Sequence, residues 1–556
     1  MVSSKANIYQ KYFVKMIPAI TFVIILLSIP VIVFCQKDSA HKQTIDIISS
    51  YKPVLKNITK INLTASPLKT DTSIPKLNYN IPPINLFYTY QPITIRPLAL
   101  TVDSSILLGV RNYVKAGFGN YSTPFLQTAL GFGDGKNELL NIAASYISSK
   151  GKMINQDVTN LILNTEGSYF TPKNEVYGAG KFNFNQYYQY GYNHALYSFS
   201  KDSIDRANND ILISGGIRNI RENKNQIYYD ATIDADLFSR GRNVNESDLF
   251  ISITIEKIIN DKATVRVKVS NDLSSYKNKM NSNQFQINNN LFMVLPSIDY
   301  NLNNYTIHAG IKSISDNGAA LILPDFRAAI KLPQQIIFEA GLEGSILKNT
   351  VKSLSLLNPF MDYPTFLKNT KESKLFAGIR TKIRHHMDVT ASLGFIRFTN
   401  TPLFVNDTLS GKGFYIKNEF KMNSFNIHGE VRYYSQEKFS ITSILDINTY
   451  AGLKDNANAW EMIPVKFIAE ANWKVNNTLL LKSSLNIFSG IPVKLKNNSE
   501  RILPTITDLN VGSEFTLSKQ FRLWFDINNL LNKKYERWNN YPVYGMQIIG
   551  GIIYQF

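Results

Sequence analysis

The residues best suited to chemistry in this 556-residue chain are its six histidines and its single cysteine. His41, His194, His308 and His428 stand apart from one another, and only His385 and His386, beside Arg384, are close enough to suggest a metal pair or an acid–base couple. Adjacent residues of a strand point to opposite faces, so those two rings diverge, and a solvated turn is the better reading. A hydrolase on a barrel rim needs a histidine with a serine or aspartate partner, and no spacing here singles one out. Gly117-Phe118-Gly119 and Gly131-Phe132-Gly133-Asp134-Gly135 are glycine-rich but lack the strand-to-helix context of a phosphate cradle. Bends and turns account for them. The expectation is therefore no catalytic, cofactor-binding or metal site, and no enzyme.

The elements that would have to position any such site are strands. From 112 onward, short alternating runs recur between clusters of Asn, Asp, Gly, Lys and Ser, and no helix-period stretch competes with them. The clearest hairpin is 249–269. Leu249, Ile251, Ile253 and Ile255 alternate with Phe250, Ser252, Thr254 and Glu256, the turn is Asn260-Asp261-Lys262, and Val265, Val267 and Val269 alternate with Arg266 and Lys268. Phe521, Leu523, Phe525 and Ile527 against Arg522, Trp524, Asp526 and Asn528 repeat the pattern. Such strands have one oily face and one largely polar face. At about 20 residues per strand and connection, 112–556 holds about 22 strands, an even number as a single-chain outer-membrane barrel requires. A tandem of soluble sandwiches would show Pro/Gly-rich linkers between domains, and 112–556 has none at regular intervals. The predicted fold class is all-β: a transmembrane antiparallel β-barrel of about 22 strands behind an N-terminal Pro-rich extended segment.

The chain ends on an aromatic. Counting back by twos, Phe556, Tyr554, Ile552, Gly550, Ile548, Met546 and Tyr544 share one face of a terminal strand, which suits the strand that closes a membrane barrel and carries its insertion signal. Tyr535, Trp538 and Tyr541 just before it are expected in an interfacial girdle at headgroup level rather than in ordinary loop packing, and for Tyr187, Tyr188, Tyr190 and Tyr192 earlier both readings stand. Long connections are expected at 193–210, 239–247, 274–283, 350–373, 402–413, 452–463 and 489–504. Within 350–373, Phe360, Tyr363 and Phe366 suggest a recognition surface for a ligand or partner, or equally an apolar lid packed on itself.

At the other end, Lys5, Lys11 and Lys15 precede an apolar run to Phe34, and 1–35 reads as a signal peptide cleaved after Cys35, with a membrane-anchoring helix as its rival. Segment 36–111 is interrupted by Pro53, Pro67, Pro75, Pro82, Pro83, Pro92 and Pro97 and reads as an extended periplasmic or lumen-filling strap. The net charge of +18 is basic, but no run of Lys and Arg with interleaved aromatics points to nucleic acid.

The segment Asn528-Asn-Leu-Leu-Asn-Lys-Lys-Tyr535, followed by Tyr541-Pro542, Gly545 and the terminal Tyr554-Gln555-Phe556, resembles the final hairpin of TonB-dependent receptors, especially of the Bacteroidetes type. Tyr113 to Pro124 is similar to their first barrel hairpin. The resemblance implies an outer-membrane barrel acting as a channel or transporter component, in contact with membrane lipid and with the barrel-insertion machinery through its last strand. Segment 36–111 lacks a counterpart of that family's plug and TonB-contacting segment, so TonB engagement is doubtful. The alternative is a non-transporting structural subunit that binds other envelope proteins in an assembly or secretion complex.

Overall fold

The computed structural model describes residues 112–556 except 135, 221–224, 242, 280–283, 385, 436–437 and 496–498. The signal-peptide reading of 1–35, the strap at 36–111, His41 and His385 lie outside the described residues. Within them the chain forms one closed sheet of 22 antiparallel strands, together with two small two-stranded sheets. Closure is made by the first strand, Tyr113–Gly119, pairing with the last, Gln547–Gln555, from Tyr113 opposite Gln555 to Gly119 opposite Ile549. A closed sheet leaves no unpaired edge, which is what spanning hydrocarbon demands of strands.

Alternation decides which way each residue faces. Ile211, Ile213, Ile251, Ile253, Ile255 and Leu273 are exposed on the outer surface, whereas their neighbours Asp210, Ser252 and Ser274 are buried on the inner one. The hairpin predicted at 249–269 is present as Val244–Asn260 paired with Ala263–Asn278. Its turn is fixed by the Asn260 side chain, whose Oδ1 accepts from the amides of Lys262 and Ala263, each at 2.9 Å. Among the described residues no helix is long and apolar enough to cross a membrane; the strands do the spanning.

The seam where the barrel closes is tight. Gly117 lies opposite Gly551 across it, and the indole of Trp524 donates to the Ala116 carbonyl at 3.2 Å. A Cβ on Gly551 would fall 1.9 Å from that same carbonyl oxygen, so only glycine lets the two strands approach here. Lys115 sits 3.9 Å over the Trp524 ring and 3.6 Å from Asp526, binding the seam from within.

The interior wall is charged but paired. Arg266 bridges Glu256 at 2.6 Å and Asp299 at 3.3 Å, His308 meets Asp299 at 2.6 Å, and Arg327 meets Glu343 at 3.0 Å. On the far side Glu514 joins Lys482 at 2.8 Å and Arg522 at 3.1 Å.

The connections sort by end. Turns beside the barrel termini are short, as at 261–262, 302–304 and 332–335, while 188–207, 348–369, 452–464, 490–505 and 529–546 all lie at the opposite end. Two expected long loops are largely replaced by strand among the described residues: Ile227–Arg240, Val244–Asn260 and Ala263–Asn278 extend into 239–247 and 274–283. Their polar residues read as loop because the sheet rises above the lipid, where the outer face no longer needs to be apolar.

Candidate functional site at the barrel mouth

The long connections fold inward and pack on one another. Segment 348–369 joins the strands Ile336–Leu347 and Thr370–Ile383 and carries the short helix Val351–Leu357. Thr350 caps that helix, its side chain accepting from the Ser353 amide while the Ser353 hydroxyl accepts from the Thr350 amide. A second cap comes from the barrel wall: Glu246 accepts from the amides of Val351 at 2.6 Å and Lys352 at 3.0 Å.

Two lysines of this segment reach the acidic inner faces of four neighbouring strands. Lys348 pairs with Asp248 at 3.1 Å and with Asp272, and Lys352 with Asp210 at 2.7 Å and with Asp236. Burial alone would lower the Lys352 pKa, but hydrogen bonds to Asp210 and Asp236 outweigh it and raise it above its ordinary value. Arg240, fully buried at 0% exposure, donates to the Ser355 hydroxyl at 2.6 Å and to the carbonyls of Pro359 and Met361 at 2.7 and 2.9 Å. Further along, Tyr276 donates to the Pro364 carbonyl at 3.1 Å, and Asn289 donates to the Asn349 carbonyl at 3.0 Å and to Asn369 at 2.8 Å.

The far edge of the segment meets loops from across the mouth. Phe360 stacks on Tyr541, ring centroids 3.8 Å apart, and sits edge-on to Tyr190 and Tyr187. The Asp362 amide donates to the Phe414 carbonyl at 2.7 Å and the Phe414 amide to the Phe360 carbonyl at 3.2 Å. Trp538 packs edge-on against Phe404 and Phe414. Together these form a buried apolar core that includes Val351, Leu354 and Met361. Burial raises the phenol pKa values of Tyr190 and Tyr541 well above normal.

The last loop, 529–546, is shaped by the asparagines of the signature segment. Asn529, fully buried with φ +49°, donates to the carbonyls of Lys533 at 2.8 Å and Tyr544 at 2.9 Å and accepts from the Lys533 amide at 3.1 Å. Asn532 accepts from the Met546 amide at 2.9 Å. The small hairpin of Glu536–Trp538 with Tyr541–Pro542 is thereby turned over the mouth. Tyr541 donates to the Lys412 carbonyl and Tyr544 to the Gln156 carbonyl, stitching this loop to its neighbours.

A barrel of 22 strands whose termini meet in one seam, with long loops at the opposite end, is the architecture of a particular class of solved structures. The chain is similar to the FrpB iron transporter from Neisseria meningitidis (F3-3 variant), with a TM-score of 0.62 at 8% identity over 80% of this chain and 81% of that one. It is similar to the siderophore receptor PirA from Pseudomonas aeruginosa, with a TM-score of 0.55 at 12% identity over 80% and 79%. The copper transporter OprC gives a TM-score of 0.60 at 9% identity over 80% of each chain. The fold is that of the TonB-dependent receptor barrel. No protein-family model and no curated protein matches the sequence. With its apolar outer belt and charged interior, the closed sheet is built as an outer-membrane barrel.

Against this architecture several expectations change. Tyr554 and Phe556 are exposed on the outer face of the closing strand, but Tyr544 is not part of that strand, which begins at Gln547. Tyr544 is buried and stacked on Tyr121 instead. Trp538 and Tyr541, 4% and 2% exposed, belong to the mouth core and not to a headgroup girdle, because their loop folds over the lumen. Tyr535 is partly buried against Phe488, Ile491 and Leu503. Tyr187, Tyr190 and Tyr192 are likewise buried. Of the suggested recognition surface, Phe360 is buried and Tyr363 partly so, with the guanidinium of Arg206 5.1 Å over its ring. Phe366 alone is exposed, at 45%. The packed-lid reading of 350–373 describes the segment better than an open surface does.

Sequence reasoning missed Arg240, Glu246, Lys348, Lys352 and the aspartates they meet. Half of the signal was present: Asp236 alternates with the outward Ile233, Ala235 and Leu237, which turns its carboxylate inward. Which distant lysines answer those carboxylates is not written in any local pattern.

Proposed function

We propose that the chain acts as an outer-membrane channel or transporter component whose passage is governed at the barrel mouth. The observation that carries this reading is the inward-folded segment 348–369, ion-paired to a charged wall and packed beneath aromatic loops from across the barrel. A scaffold barrel of this width must be sealed as well, but a seal held by ion pairs can be opened, which a conduit requires and a permanent block does not. The iron, copper and siderophore named for the similar structures are the first solutes to offer it. Exposed Phe366 is the part of the segment an arriving ligand or partner would touch first. The outward Tyr554 and Phe556 are the groups offered to lipid and to the insertion machinery.

The test is electrical. Purified protein in a planar bilayer should be silent or nearly so, and deletion of 350–367, made in a form that also lacks the strap expected at 36–111, should produce steady conductance. Absence of current from both forms, with the folded band confirmed on unheated gels, would remove the conduit reading.

A further inference from the structure

We propose that segment 348–369 is a tethered stopper, latched by its own Lys348 and Lys352 in an acidic pocket of the barrel wall, and that breaking these ion pairs releases it. The proposal deepens the conduit reading and rests on it for its consequence, though the latch itself is separable.

The contacts divide into a hinge, a latch and a seat. At the hinge, the segment leaves and rejoins the wall where Asn349 and Asn369 are locked together: Asn369 accepts from the Asn349 amide at 3.0 Å, and both bond Asn289. These bonds anchor the ends whether or not the middle is docked. The seat is the aromatic cluster under Phe360, which is apolar and binds without preference of charge. The latch is electrostatic. Lys348 and Lys352 stand four residues apart, each between two aspartates drawn from different strands: Asp248 and Asp272, then Asp210 and Asp236.

That arrangement makes docking of the segment and neutralisation of the wall the same event. Four carboxylates on adjacent strands repel one another, and among the described residues the cations within ion-pair distance of them are the two lysines. With the segment withdrawn, Asp210 and Asp236 would lose Lys352, which lies beyond the hinge at Asn349, while Lys348, on the strand side of that hinge, stays by Asp248 and Asp272. With it docked, the charges are paired and largely removed from water, where screening is weak and loss of one partner leaves the other charge buried and uncompensated. Arg240 then adds specificity, since its donors fit two carbonyls that come together only in the folded segment. The latch is thus strong enough to hold and, being ionic, can be undone without dismantling the wall: all four aspartates lie in strands whose ladders stand without them.

The test uses the full chain with two independent readouts. Hydrogen exchange of amides 350–362 reports the latch, and bilayer conductance reports the conduit. In the double variant Lys348→Gln, Lys352→Gln, exchange across 350–362 should accelerate about tenfold or more, while wall strands exchange as before and current appears. Lys348→Arg with Lys352→Arg should leave both readouts as in the parent. The exchanged pair Lys352→Asp with Asp236→Lys should restore protection lost in Lys352→Asp alone, a recovery that mere destabilisation would not give. Should the double variant fail to yield the folded band on unheated gels, Lys352→Gln alone is read the same way. Unchanged exchange at 350–362 in a folded variant overturns the latch. Accelerated exchange without current, in the variants and in the same variants with 36–111 also deleted, leaves the latch standing and defeats the conduit reading.

Discussion

At the end of the barrel that carries its termini, the turns that begin at Asp134, Asn260 and Asn476 are closed by their own residues. Asp134 accepts from the amides of Lys136, Asn137 and Glu138, Asn260 from Lys262 and Ala263, and Asn476 from Thr478 and Leu479. Those backbone bonds hold the Asp134 carboxyl down to about 2. At the opposite end the order of things reverses. Phe360 answers Tyr541, Arg240 answers Pro359 and Met361, and Gln156 answers Pro542, all from distant parts of the chain. One end is a set of independent hairpin turns; the other behaves as a small globular core suspended in the rim. The difference locates the adjustable part of the molecule, because a turn that satisfies itself cannot respond to its neighbours, whereas a core assembled from several loops can rearrange as a unit.

The sharpest way to break this division is at the seam. Gly551→Val would place side-chain atoms where Gly551 already leaves only 1.9 Å between a built Cβ and the Ala116 carbonyl oxygen. The expected outcome is failure to close the barrel, seen as loss of the folded band on unheated gels. A folded variant with native mouth exchange would show that the seam tolerates separation, and that wall and mouth are less distinct than argued.

Next in size is a pair of tryptophans. Trp538, buried in the mouth between Phe404 and Phe414, should cost about 3–5 kcal/mol of local stability when changed to alanine. The loss should appear as faster hydrogen exchange across 529–546 and 350–362 with the wall unaffected. Trp473, 50% exposed on the strand Val465–Lys474, should cost a fraction of that in the same measurement. Equal effects from the two would dissolve the comparison.

A smaller effect is expected from Asn529→Ala. Three hydrogen bonds at a buried site with φ +49° are lost together, for about 2–3 kcal/mol. The change should free 529–546 and leave the pairing of Gln547–Gln555 with Tyr113–Gly119 intact, as measured by exchange at the two segments.

The same division explains what the sequence made legible. A strand's faces are set by a period of two, so Ile251, Ile253 and Ile255 could be assigned outward from their spacing alone, and the strand number followed from the length of chain available. The segment at 528–545 could be recognised as a signature, but its residues gave no hint that Asn529 and Asn532 act by folding a loop over the lumen. The mouth core was misread for the same reason. Trp538 and Tyr541 carry the composition of a lipid-interface girdle, and only their partners, Phe360 and Phe414, far away in sequence, distinguish a core from a girdle. Where contacts are local, pattern suffices; where Lys352 must find Asp210 and Asp236, only the closed barrel brings them together.

A further effect separates the ends by pH. Glu461, in loop 452–464 with φ +61°, has its carboxyl buried 3.8 Å from Arg537 and within 3.4 Å of the Asn539 amide. Burial pushes its pKa from 4.5 up to about 8, the attraction of Arg537 offsetting only part of that. The folded mouth therefore holds a proton that the opened loop releases. Stabilisation from this source is fully present below about pH 4.5 and is lost as pH rises through about 8, so local stability of the mouth should fall across that window. Glu461→Gln keeps the shape and removes the titration, and its mouth should show a flatter profile. The measurement is hydrogen exchange of 452–464 and 529–546 at pH 5 and pH 8, corrected for the intrinsic rate, with the self-closed turn at 261–262 as the internal control. A slope that persists in the variant would assign the pH dependence to another group. A slope shared by the control turn would mean that the mouth does not open independently of the barrel that carries it.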